Sequence, residues 1–271
     1  MTSPLTDRAE TQPEARLAKR NLWRVYGLEA KYEFLKLWRM PAYAVPTLVF
    51  PLMFYLIFGL TFGDQSAGPV SVSTYMLATY GAFGVIGVAL FGFGVGVASE
   101  RGQGWMRLKR ASPMPLAAYF AAKVAMATLF GLLVALGLFA LGYLVGDVRL
   151  GTFTWLSLLA VLLVGVLPFC AMGLALGYLV GPNAAPAVVN LIYLPMVFAS
   201  GLWIPVSQLP DFLQAAAPFL PPYHYAELAL GVIGVRRGDP WLHVAVLVGF
   251  AMVFLIVAAW AYRRDEGKTY G

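Results

Sequence analysis

Six long apolar runs, parted by short polar connectors, dominate this chain of 271 residues. They fall at about 44–62, 74–98, 116–144, 153–180, 187–201 and 241–262. A helix needs about 20 apolar residues to cross about 30 Å of hydrocarbon. With their connectors the runs use up most of the chain, which leaves no room for a sizeable soluble domain. Only 12% of residues are charged, against about 25% in soluble domains. The expectation is an all-α integral membrane protein with six transmembrane helices spread over 41–262.

Charge sorts these runs by side. The connector Ser99 to Pro115 holds Glu100, Arg101, Arg107, Lys109 and Arg110 between two runs almost free of charge. Charged groups of this kind are costly in hydrocarbon, and basic connectors mark the cytoplasmic side. With both termini inside, every Lys and Arg except Arg149, Arg236 and Arg237 falls on that side. The net charge of +6 follows this bias and does not point to nucleic acid.

The flanks are of different kinds. Residues 1–20 read as a flexible cytoplasmic tail, and the first 40 residues are too charged for a signal peptide. Residues 21–40 carry a narrow polar stripe of Glu29, Glu33 and Lys36, with apolar and aromatic residues such as Trp38 around the rest. This pattern fits a helix lying in the membrane interface, with a helix packed on a soluble partner as the alternative. Glycines at 81, 84, 87, 92, 94 and 96 mark the second run, and Gly173, Gly177 and Gly181 the fourth, as close-packing faces. Pro168 is placed to kink the fourth run. Residues 202–235 are broken by prolines yet apolar, and read as short re-entrant helices at 211–217 and 223–235, with a folded outer cap as the alternative. Residues 263–271 form a second inner tail.

Chemistry is sparse. The titratable candidates in or near the spans are Lys123 near the inner interface and His224 and Glu227 near the outer one. No paired carboxylates, metal-ligand cluster, nucleophile set or phosphate-binding loop stands out, and one cysteine, Cys170, excludes an internal disulfide. An ion-coupled carrier and an intramembrane enzyme acting on lipids are the competing readings. Both lack the groups they need.

Two motifs then resemble a known family. Glu100-Arg101, Gly104, Arg107, Leu108 and Pro113 are similar to the E-R-x-x-G-x-x-x-L-x-x-x-x-P region of permease subunits of type-two ATP-binding-cassette (ABC) exporters. Ser200, Gly201, Pro205, Leu209, Pro210, Pro218 and Pro221 are similar to that family's outer signature, and Ser112 stands where the family often has Thr. The resemblance implies a coupling helix over 99–112, with Glu100, Arg101, Gly104, Trp105, Arg107, Leu108, Lys109 and Arg110 seated against a cytoplasmic ABC ATPase in two copies. It further implies a second permease copy or a homologous permease, and an outer gate at 200–228. The chain itself would hold no cofactor, with ATP and Mg bound by the partner, and would not be an enzyme. The expected place is the cell's inner membrane, among lipids, and the expected cargo is amphipathic, drug-like or lipid-linked.

Overall fold

The computed structural model describes residues 13–63, 65–106, 108 and 114–266. Most of them are helical, because the apolar runs can pair their backbone groups only within themselves. Helix α1 (Pro13–Trp38) begins well inside the segment expected to be a flexible tail. Pro41 starts α2 (Pro41–Phe54), which ends in one π-helical turn, Tyr55–Gly59. A two-stranded ladder, β1 (Ser66–Ala67) and β2 (Val70–Ser71), pairs Ser66 with Ser71 and turns at Gly68. Asp64, the expected charge of this loop, lies outside the described residues.

Helix α3 (Val72–Ala89) is capped by the Ser71 hydroxyl, which accepts from the Thr74 amide. It passes through a π-helical turn, Leu90–Val95, into α4 (Gly96–Gly102). Then come α5 (Leu116–Leu144), α6 (Thr152–Val164), α7 (Val166–Leu179) and α8 (Ala185–Ala199). The proline-rich stretch holds a 3₁₀ turn at Val206–Gln208, α9 (Asp211–Ala216), a second 3₁₀ turn at Ala217–Phe219, and α10 (Pro221–Val232). Helix α11 (Pro240–Glu266) closes the bundle.

Among the described residues, five segments are long and apolar enough to cross a membrane: Pro41–Gly59, Val72–Gly102, Ala117–Leu144, Thr152–Leu179 and Pro240–Arg264. The fifth expected span, α8, has 15 residues. It is therefore about 22 Å long at 1.5 Å per residue, short of about 30 Å.

Helix α3 is the hub. Every residue from Ser73 to Ala89 is buried, and α2, α5, α6, α7 and α10 pack around it. Small residues set the closest approach. A side-chain carbon on Gly173 would sit 2.8 Å from the Phe93 Cβ, and one on Gly177 2.8 Å from the Val97 Cβ and 3.0 Å from the Phe93 carbonyl. Gly181, the third member of the expected stripe, has open space instead. The fourth run breaks at Gly165 rather than at Pro168. Pro168 has no N–H for the carbonyl four residues back, Val164, so the ladder is weakest one step before the proline's own turn. The Tyr225 ring fills the notch at Gly165, and its hydroxyl donates to the Leu162 carbonyl at 2.7 Å.

Candidate functional site

Lys123 is a lysine two turns into an apolar helix, and it is wholly buried. A buried ammonium needs compensating charge. Here it comes from α1 and α4, which lie far apart in sequence. Lys123 Nζ donates to Glu33 Oε1 at 2.5 Å and to Glu100 Oε1 at 3.1 Å. Lys36, one turn beyond Glu33, donates to both Glu33 oxygens at 3.1 Å and also to Glu100 Oε1. The Tyr119 hydroxyl donates to Glu100 Oε2 at 2.6 Å, and its ring lies 5.1 Å from the Lys123 ammonium. Two carboxylates and two ammoniums thus form a neutral cluster that clamps α1, α4 and α5 together. Burial acts against the Lys36 ammonium, but Glu100 and Glu33 outweigh it and raise its pKa above the ordinary lysine value. The missing side chain at Gly96 leaves space for the Lys123 ammonium, 3.6 Å from where a Cβ would be.

This placement corrects part of the sequence reading. Glu100 and Arg101 end the helix of the second span; they do not lie on an exposed coupling helix. Glu100 is buried in the cluster. Arg101 Nη1 donates to the Gly177 carbonyl at 2.6 Å, at the C-terminal end of α7, where a cation meets unpaired carbonyls. The helix stops at Gly102, because Gly104 has φ +75°, a left-handed conformation that suits glycine. An unbroken helix over 99–112 is therefore excluded. Beyond the turn, Trp105 and Leu108 are 52% and 65% exposed. Arg107, Lys109, Arg110, Ser112 and Pro113 lie outside the described residues.

The polar stripe of α1 likewise turns inward at Glu33, and Lys123 is enclosed by the protein. Glu29 is half-buried, while Trp38 is half-exposed and stacks on Phe34. The sequence reading missed this pairing and the part of Tyr119. Its available signal was a lysine inside an apolar run, with acidic residues in both flanking segments.

A groove of about 1140 Å³ adjoins the cluster. It starts at Glu33, Lys36 and Glu100, passes between α2 and α8 beside the π-helical turn of the second span, and ends at an aromatic wall. Phe83 stacks on Tyr193 at 5.4 Å, and Trp203 sits edge-on to Phe83 at 5.6 Å and 5.7 Å from Phe54. The groove is therefore charged at one end and aromatic at the other.

The outer motif is split between two places. Ser200 is buried, and Gly201 has φ +79° with Val206 and its amide packed against it. Together they turn the chain so that Trp203 reaches the groove. Pro205 precedes a 3₁₀ turn, Leu209 is buried, and Pro210 and Pro221 lead into α9 and α10. Pro218 is elsewhere, and its carbonyl bonds His224. The structure does not bring the two sequence motifs together.

Comparison with known proteins agrees with the architecture. The model of the ABC-2 type transporter family matches residues 26–234. A Bacillus subtilis (strain 168) protein named "Putative transport permease YvfS" is 26% identical over 235 residues, covering 86% of this chain and 95% of its own length. The family implies a cytoplasmic ABC ATPase as partner. With its apolar helices and this match over most of its length, the chain is a multi-pass membrane protein that belongs to the ABC-2 type transporter family, as a transport permease subunit.

Proposed function

We propose that this permease exports an amphipathic cargo, drug-like or lipid-linked, on power supplied by ATP hydrolysis in two copies of a separate ATPase. The cofactors ATP and Mg belong to those subunits. In this reading six spans cross the inner membrane with both termini inside, α8 being the short one, and residues 202–235 dip into the outer leaflet. The 103–113 segment then faces the ATPase, where exposed Trp105 and Leu108 fill pockets and the neighbouring basic residues steer docking.

The observation that carries this reading is how the segment is anchored. It leaves a helix whose last turn is bolted to α1 and α5 by the charge cluster and to α7 by Arg101. A push on Trp105 reaches the interfacial helix and the groove wall together. The groove offers a cargo headgroup polar partners at its inner end and an apolar tail aromatic contacts at its outer end. A second copy set against α2 and α8, which expose Val49, Met53, Leu191 and Leu194, would close its open side.

The test is Trp105→Ala with Leu108→Ala, and separately Arg107→Glu with Lys109→Glu, in membranes holding both subunits. Both variants should insert normally yet lose co-purification with the ATPase and cargo-stimulated hydrolysis. Unchanged ATPase association would refute the docking assignment. Inward rather than outward movement of a fluorescent amphiphile would refute export.

A further inference from the structure

The chain has two histidines, and the fold brings them together. His224 on α10 and His243 on α11 are both buried, with Nδ1 facing Nδ1 at 2.9 Å. The other nitrogen of each ring meets a backbone carbonyl: His224 Nε2 lies 2.8 Å from the Pro218 oxygen, and His243 Nε2 lies 2.9 Å from the Arg237 oxygen. Neither α10 nor this corner has a part in the docking reading above.

A carbonyl oxygen only accepts, so each Nε2 must carry a hydrogen. Two neutral imidazoles hold two hydrogens, and the carbonyls take both. The third contact then sets two lone pairs against each other at hydrogen-bond distance. It becomes a bond only when one more proton sits between the nitrogens. Three contacts need three protons, so the complete arrangement carries one positive charge.

We infer that His224 and His243 form a proton-binding latch that joins α10 to α11 when one proton is shared between them, and that loosens when that proton leaves. Histidine is the side chain suited to such a switch near neutral pH.

Burial and the neighbouring His243 ring hold the His224 pKa below the ordinary imidazole value, against the pull of the Pro218 carbonyl. The bond gained between the two rings must therefore hold the shared proton against the buried surroundings. Tyr223 packs against both rings at 5.3 and 6.2 Å. Glu227, one turn along α10, faces Arg237 with Oε1 3.9 Å from Nη1, and its buried Oε2 has no partner among the described residues. The same turn of chain carries Arg236 and Asp239, and Tyr75 comes close to Tyr223, Glu227 and Arg237 from α3. Helix α6, which also packs on α10, has no titratable side chain. The latch governs how firmly the proline-rich outer segment is held to the last helix.

The full chain, reconstituted in nanodiscs with histidine ring nitrogens labelled with ¹⁵N, supplies the test. With two histidines the spectrum has four ring nitrogens. At pH 6 three protons should be distributed over them, with the two Nδ1 signals showing a shared hydrogen; at pH 8.5 two protons should remain. Amide exchange in Pro221–Val232, corrected for intrinsic chemistry, should be about tenfold slower at pH 6 for each unit by which latching raises the pair's affinity for the proton. In a Glu227→Gln background, which removes the titrating carboxyl of the same helix, His243→Asn, whose amide can donate to His224 Nδ1 without titrating, should remove that pH dependence. Two rings that titrate independently, or a dependence that survives His243→Asn in that background, would overturn the latch. So would exchange that slows with micromolar Zn²⁺ instead of with acid, since the two lone pairs would then bind a metal.

Discussion

Replacing Lys123 with methionine tests the charge cluster most directly. Methionine keeps the length and apolar stem of the side chain while deleting the ammonium. Glu33 and Glu100, 5% and 7% exposed, would remain buried, and Lys36 alone would serve both. The cluster would go from neutral to one net negative charge. Removing one partner of a buried ion pair costs about 3–5 kcal/mol, chiefly because the other charge is left uncompensated. Lys36 still bridges both carboxylates, which places the cost near 3 kcal/mol. For a chain of this size each kcal/mol shifts the melting temperature by about 2–4 °C, so Tm should fall by about 6–12 °C. The double variant Lys123→Met with Glu100→Gln restores neutrality around a Glu33–Lys36 pair. It should recover about 1–2 kcal/mol of that loss, as interacting neighbours do. Thermal unfolding of the assembled transporter in nanodiscs, followed by tryptophan fluorescence, measures both. A Lys123→Met protein melting within about 2 °C of the parent would refute the cluster as a clamp. So would a double variant whose loss equals the sum of the two single losses.

Three further outcomes follow from the packing and the pKa shifts. Gly177→Val should cost about 1–3 kcal/mol, because its Cβ would press on Val97 and on the Phe93 backbone; Gly181→Val, in open space, should be close to neutral in the same melt. Glu227→Gln should flatten part of the pH dependence of stability. Burial pushes the Glu227 carboxyl up to about 7, against the opposing charge of Arg237, so its protonated form favours the fold. That contribution is complete below the ordinary carboxyl value of 4.5 and is lost as pH rises through about 7. The parent should therefore lose more stability than the variant between pH 5 and pH 8. Trp203→Ala should weaken stimulation of ATP hydrolysis by long-chain amphiphiles more than by short ones, if the aromatic end of the groove holds the cargo's tail; equal weakening for both would place the tail elsewhere.

How far the site could be read from the chain depends on the range of the forces involved. The two short helices of the proline-rich stretch were legible to within one residue for α9, at 211–216, and two to three residues for α10, at 221–232. Proline acts locally there, fixing its own φ and ending or starting the helices beside it. The glycine stripe was legible at Gly173 and Gly177, which touch the second span, but not at Gly181, where spacing alone could not say how far the contact extends. The coupling helix was started too early, because charge was taken as a sign of exposure. Glu100 and Arg101 face inward, and the left-handed turn at Gly104 separates them from Trp105 and Leu108.

Hydropathy and chain chemistry by themselves determined that this is a helical membrane protein, and where most of its spans lie. The cost of unpaired backbone in hydrocarbon leaves a long apolar run little other choice. Only the tertiary structure decided what the few charges do. Lys123 meets Glu33 across 90 residues of sequence and Glu100 across 23, and His224 meets His243 across 19. Such pairings are set by which helices touch, because a buried charge is tolerated only where another element delivers its partner.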